Sequence, residues 1–492
     1  MNLNYDNYKD KVKACWIGKN IGGTMGTPYE GTHDILDIQG FVTKPGEVLP
    51  NDDLDLQLIW LYALEKIGPK AITAEVLGEY WISLITPHWN EYGIGKRNMI
   101  RGLYPSISGD YENDWKDSNG AWIRTEIWAC ISPGMPEIAT RYAIEDAKVD
   151  HGAGEGTYAA AFVAAMQSAA FVLSDIRKCI DIGLSTIPEN CRVAQSIRFV
   201  LEAYQQGKTL LETRNAIVEM NKDIGDGWFE APSNVAYTVL GLIWGEGDFK
   251  KSMIYAINCG DDTDCTAATV GATLGIMRGM SGIPTDWMEY LGDDIITVSI
   301  AKGNEARFLP KTCSELTERV VKLAPAALLV NQAAMTLKET ESDDIPEDVA
   351  ERMLTVIRED FNLQIVLKGL KPYTAHFECP MFQAYVTLPD SPKIAPSGEC
   401  KVNIQFFNNW FKLENSPYNL SMRWIMPEGF SVVSGDYTAQ IPHRTPHTLD
   451  FCSEAEFVIK SSEMIQPVNK LILEVTAEGR PTIMYIPITL LG

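Results

Sequence analysis

Hydrophobic residues in this chain change their period once, and that change divides the molecule. Up to about residue 330, apolar positions recur every three or four residues, in 54–67, 157–173, 197–204, 235–244 and 266–280. This spacing predicts amphipathic and buried helices. Gly and Pro punctuate the joints at Gly68-Pro69, Ser132-Pro133-Gly134, Ile187-Pro188, Ala231-Pro232 and Ile283-Pro284,. Beyond about Asp360 the period becomes two, in 400–406, 421–425, 456–459 and 471–475, with Pro, Gly, Asn and Asp between. Repeated short alternating runs predict a β-sandwich, immunoglobulin-like in character. Between the two lies the charged run Lys338 to Asp348, poor in large apolar residues as a linker is,. The expected organisation is an all-α domain over residues 1–330, a linker over 331–360 and an all-β accessory sandwich over 361–492. At 492 residues, the chain exceeds what a single core supports, so more than one domain is required.

Two acid-rich steps about two hundred residues apart open predicted helices. The first is Asn51-Asp52-Asp53-Leu54-Asp55 and the second is Gly260-Asp261-Asp262-Thr263-Asp264. Helix capping alone accounts for one Asx residue at each start. Each step, however, carries more acids than one cap uses, and clustered carboxylates repel unless a cation lies among them. Oxygen donors without accompanying His or paired Cys suit a hard divalent cation. The EF-hand calcium spacing is absent from both.

Composition narrows the alternatives. A formal net charge of -23 argues against a nucleic-acid surface,. The opening Met1 to Asp6 lacks the basic and apolar regions of a secretory signal, and residues 156–174 read as a buried Ala-rich helix rather than a membrane span,. Ten scattered cysteines without a C-x-x-C pair indicate reduced thiols, so a cytoplasmic location is expected,. His376, His443 and His447 are expected to be surface or strand-end residues without a catalytic role.

Four segments of the helical part resemble, in chain order, the ADP-ribosylglycohydrolases, including the dinitrogen reductase-activating glycohydrolases. Gly18, Gly22, Gly26, Pro28 and Glu30 resemble the family opening G-x-x-x-G-D-A-x-G-x-P-x-E, and Asn51-Asp52-Asp53 resembles its T-D-D step. Asn119-Gly120-Ala121-Trp122-Ile123-Arg124 is similar to N-G-A-x-M-R. Gly260 to Cys265, then Ala267, Ala268, Gly271, Ala272, Pro284 and Trp287, resembles G-G-D-T-D-T-x-A-A-x-x-G-A and the I-P-x-x-W that follows. The resemblance spans about residues 10–320. It implies a metal-dependent hydrolase that cleaves the glycosidic bond between ADP-ribose and a protein side chain or small acceptor.

Carried over by position, Glu30, Asn51, Asp52, Asp53, Asp262, Asp264 and Cys265 would hold the metal. Two divalent cations, Mg2+ or Mn2+, are implied, reduced to one if Cys265 cannot replace the family's Thr ligand, because a thiol is a poor donor to a hard ion. Glu30 would be the general base or acid, with Asp53 the second choice. Asn119, Gly120, His151, Gly152, Gly227 and Trp228 would contact the substrate, His151 near the diphosphate and Trp228 beside the adenosine. The expected partner is an ADP-ribosylated protein or small ADP-ribosyl compound, with no nucleic acid and no membrane. Departures at Gly23, Asp261 and Cys265 leave two other readings: a glycosyl or nucleoside-type hydrolase on another ribosyl substrate, or an inactive protein that binds ADP-ribose or a glycan.

Overall fold

The helices begin where their own caps place them. Asn4 accepts from the Asn7 amide at the start of helix Tyr5–Gly26, and Asn51 accepts from the Asp53 amide at the start of Asp52–Ile67,. Thr209 and Glu212 form a complete capping box on Leu210–Asn221,. The computed structural model describes residues 1–225, 227–300, 305–409, 417–443 and 451–492. His447 and Asp226 therefore lie outside the described residues. Helix Glu155–Ala170 is buried almost all round, as its Ala-rich sequence requires. No helix among the described residues is long and apolar enough to cross a membrane.

The most extensively packed helix pair is Tyr5–Gly26 against Thr263–Arg278. Gly18, Gly22 and Gly26 recur every four residues and so share one face of the first helix. A Cβ on Gly18, Gly22 or Gly26 would overlap the backbone of Gly271, Ala267 or Asp264 respectively. The three glycines thus bring the two backbones into direct contact. That contact sets the start of the second acidic step beside the end of the first helix.

The C-terminal strands form two antiparallel sheets. One runs Ile483–Leu491, Val468–Ala477, Tyr418–Ile425, Thr438–Ile441; the other runs Thr374–Glu378, Phe382–Thr387, Glu399–Asn408, Ser453–Lys460, Ser431–Gly435. Alternate residues of both sheets, including Val402, Ile404, Phe457, Leu471, Leu473 and Ile486, meet in one apolar core. A β-sandwich follows a helical domain, as the change of period predicts.

The boundary differs from the expected one. Residues 331–360 are not a free linker: Thr336–Lys338 pairs in parallel with Asn2–Asn4. Asn4 Nδ2 also donates to the carbonyls of Glu339 and Thr340, at 3.2 and 3.1 Å. Helices Val349–Glu359 and Phe361–Gly369 follow, and Met353, Ile357, Leu363 and Val366 enter the helical core. The sandwich therefore starts at Thr374 rather than 361. Polar composition hid the pairing because its partner is the N-terminal segment, more than 330 residues away.

Candidate active site

The two acidic steps and the Glu30 loop converge on one cavity of about 350 Å3. Gly31 N donates to the Asp261 carbonyl at 2.9 Å and Asp261 N donates to the Thr32 carbonyl at 2.7 Å. This bridge locks the loop after Glu30 onto the second step. Carboxylate oxygens of Glu30, Asp262 and Asp264 lie within 4.8 Å of one another, as do ligand atoms of Asp53, Asp264 and Cys265. Two ionised carboxylates at that separation repel by about 3 kcal/mol at an effective dielectric near 20. Both oxygens of Asp53, and one each of Asp262 and Asp264, are buried without a hydrogen-bond partner among the described residues. Burying charges of that size is costly unless a cation or a proton offsets them.

The pKa shifts follow from this crowding. Burial in the cleft, then the charges of Asp262 and Asp52, push Glu30 up to about 8. Burial also raises Asp52, although a hydrogen bond from the Tyr92 hydroxyl opposes the rise. Asp53 and Asp264 lie well above the usual carboxylate range, chiefly through burial. Cys265 is buried among the same carboxylates, and its thiol is pushed well up. The donor set is mainly oxygen, which fits a hard divalent cation, with Cys265 its one soft member.

Neighbouring side chains hold these groups in place. Asn119 Nδ2 donates to Asp262 Oδ2 at 2.7 Å while its own Oδ1 accepts from Trp122 Nε1 at 2.9 Å. Tyr92 donates to Asp52 Oδ2 at 3.0 Å. Asn51 spends its amide oxygen capping Asp53 N at 2.7 Å, which turns Nδ2 towards Asp264 Oδ2 at 3.4 Å. Beneath the cavity, the fully buried Lys19 sits 3.2 Å from Glu126 and 4.0 Å from Asp53. Burial alone would lower its pKa, but Glu126 and Asp53 outweigh that and raise it. Asp55, the last acid of the first step, faces elsewhere: it accepts from the amides of Val298 and Ser299.

Of the residues singled out from the sequence, Glu30, Asn51, Asp52, Asn119, Gly120, Asp262, Asp264 and Cys265 line the cavity, and Asp53 lies just behind it. The structure does not bring four others to the wall. His151 is fully buried behind Ser118, whose Oγ is 3.4 Å from its Nε2, with Asp150 Oδ1 3.0 Å from its Nδ1. Gly152 packs on Asp110, where a Cβ would overlap the carboxyl group. Gly227 and Trp228 sit on the loop outside, and Phe229 from that loop lines the cavity instead. Its amide donates to Asp261 Oδ1 at 3.2 Å, and Asp261 holds φ +66 at the place where the family pattern has Gly,.

Sequence reasoning missed Lys19, Glu91, Tyr92 and Ser118. The only signal for Glu91 and Tyr92 was the neighbouring Gly93 to Asn98 segment, which resembles the family loosely. Glu91 is buried and lines the same cavity, with a carboxylate oxygen within 4.8 Å of ligand atoms of Asp150 and His151. Burial pushes it up to about 7, against the pull of His151.

The ADP-ribosylglycohydrolase family model matches residues 4–357, nearly the whole helical part and more than half of the chain. The chain belongs to the ADP-ribosylglycohydrolase family. Membership makes it a hydrolase of glycosidic bonds that acts on ADP-ribosyl linkages. It is similar to the ADP-ribosylarginine hydrolase Tri1 of Pseudomonas putida (strain GB-1), 38% identical over 293 residues, covering 57% of this chain and 74% of the relative. An uncharacterized protein of Archaeoglobus fulgidus is 25% identical over 342 residues, covering 64% of this chain and 99% of that one. A solved ADP-ribosylglycohydrolase-related protein complex aligns at 19% identity with a TM-score of 0.42, over 65% of this chain and 98% of the other.

Proposed function

We propose that this hydrolase removes ADP-ribose from arginine side chains of modified proteins and depends on a divalent cation held by Glu30, Asp52, Asp262 and Asp264. One observation carries the metal reading: buried carboxylate oxygens from both steps face one another without hydrogen-bond partners among the described residues. The name of the Pseudomonas relative supports arginine as acceptor. Bound there, Mg2+ or Mn2+ would engage the ribose hydroxyls and polarise a water.

The chain's own groups supply the rest. Leaving-group departure from the anomeric carbon passes through an oxocarbenium-like state, which the acidic wall stabilises. Glu30 is the proton-transfer residue, because its carboxyl stands exposed on the cavity wall, within 4.8 Å of Asp262 and Asp264,. Asp53 lies behind that wall and serves as a ligand rather than as the base. Asn119 and Tyr92 hold Asp262 and Asp52 in orientation,. Cys265 and Asp53 complete the ligand set on the far side of Asp264. We also take the chain as two modules, the helical part through Gly369 and the sandwich from Thr374.

The test is release of ADP-ribose from arginine-linked, serine-linked and O-acetyl conjugates, with Mg2+ or Mn2+ and after chelation. Turnover of the arginine conjugate that chelation abolishes is the expected result. Turnover indifferent to chelation would refute the metal reading, and no turnover on any conjugate would refute the activity. Asp262→Ala should lose divalent binding in titration calorimetry, and unchanged affinity would overturn the ligand assignment.

A further inference from the structure

The cavity wall holds five carboxylates, from Glu30, Asp52, Glu91, Asp262 and Asp264, and among the described residues no Lys, Arg or His lines it. Four of the five belong to the cation site. Glu91 does not: it stands at the start of helix Asn90–Ile100, and its neighbour Tyr92 reaches Asp52. The residue is 6% exposed, and its Oε2 is buried without a hydrogen-bond partner among the described residues. Gly120 makes room for it, since a Cβ there would overlap Glu91 Oε1. Trp89, half exposed and two residues before Glu91, lines the same cavity with its ring stacked on Tyr92 at 6.3 Å.

Ser118 hydrogen-bonds the Glu91 carboxyl, but its buried, unpartnered Oε2 still calls for a donor, and a cationic N–H satisfies it best,. A phosphate set against Glu91 would be repelled. We propose that Glu91 is the acceptor-side specificity residue, its carboxylate receiving the guanidinium of the arginine from which ADP-ribose is cleaved. The assignment rests on the arginine reading above. In the reaction, water oxygen bonds the anomeric carbon, the carbon–nitrogen bond breaks, and a water proton replaces the ribosyl carbon on the guanidine nitrogen. Glu91 takes no proton in this exchange. It holds the leaving group in place before and after.

Two measurements on the full-length protein test this. In thermal-shift titrations with ADP-ribose and Mn2+ present, methylguanidinium should bind at least about tenfold more tightly than the neutral isostere methylurea. Glu91→Gln should erase that preference. In kinetics, Glu91→Gln should lower the ratio of arginine-linked to serine-linked kcat/KM by about thirtyfold, as loss of one partner of a buried charge pair does. An equal fall on both conjugates would show that Glu91 only supports the fold beside His151, and would overturn the proposal. An unchanged ratio would overturn it too. If Glu91→Gln does not fold, the wild-type preference decides, and its absence refutes the assignment. If neither conjugate is cleaved, the hydrolase reading falls, while the Glu91 assignment stands or falls on the methylguanidinium preference.

Discussion

Lys19 and Glu126 show how much of the site's stability rests on single side chains. The ammonium lies 3.2 Å from Glu126, which also accepts from Gln57 at 2.8 Å and Gln167 at 3.0 Å. Both side chains are fully buried. Lys19→Met therefore strands a buried carboxylate, and breaking a buried pair in this way costs about 3–5 kcal/mol. Urea denaturation of Lys19→Met should show a loss of that size; a loss below about 1 kcal/mol would mean that the glutamines carry the charge unaided. Lys19→Arg should recover little, because a planar guanidinium does not fit a point-charge pocket. At the same scale, Asp55 illustrates a different fate for an acid of the same step. It accepts from backbone amides at Val298 and Ser299 and so anchors a loop instead of a cation.

Among the elements, the helix pair Tyr5–Gly26 and Thr263–Arg278 decides whether the site exists. Gly22→Leu would drive a side chain into the Ala267 backbone, where neither helix can yield by a rotamer change. A destabilisation of about 3 kcal/mol is expected, with divalent affinity lost alongside, since Asp264 sits one turn from the contact. Calorimetric binding and the thermal midpoint check both. A variant that kept wild-type affinity would show that the helices do not position Asp264.

Strand Thr374–Glu378 carries a pH-dependent contact with the helical part. His376 stacks on Tyr385 at 4.6 Å and shares a 3.1 Å hydrogen bond with Gln383. Burial, then the Lys148 charge, lowers its pKa to about 4. A folded-state pKa below the unfolded 6.5 means the stabilisation is complete above pH 6.5 and is lost as pH falls towards 4. Stability should thus decline over that window in wild type and decline less in His376→Gln, measured by thermal midpoints from pH 7 to 4.

For the molecule as a whole, the helical part is joined to the sandwich by residues it inserts into the sandwich core. Leu103, Ile107 and Tyr111 come from the helical part yet pack among the sandwich residues. Asp110, between them, accepts from Ala153 N and from Tyr373 N, both at 2.9 Å. Thr489 donates to the Gly102 carbonyl at 2.7 Å, and Lys393 pairs with Glu112 at 2.6 Å. Because these helical-part residues are buried in the sandwich core, calorimetry should show a single unfolding transition,. Asp110→Ala orphans two buried amides, each worth about 1–3 kcal/mol, and should split or broaden it. Two well-separated transitions in the wild type would show instead that the modules fold independently.

Periodicity and capping are local, so the sequence by itself determined the helical and alternating regions, the strands after residue 400 and the order of the acidic steps. Asp52, Asp262 and Asp264 were legible for the same reason, since each stands in an acidic step at a helix start, whereas Glu30 was marked only by the family resemblance. Only the tertiary structure decided which side chains share the cavity. It turned Asp55 away, set His151 behind Ser118, and brought in Lys19 and Glu91, whose own positions no motif singled out. It also set strand Thr336–Lys338 and helix Val349–Glu359 in the stretch that composition marks as a linker. The physical reason is the same in each case. Burial and charge pairing are settled between residues tens to hundreds of positions apart, and no local pattern records which of them will meet.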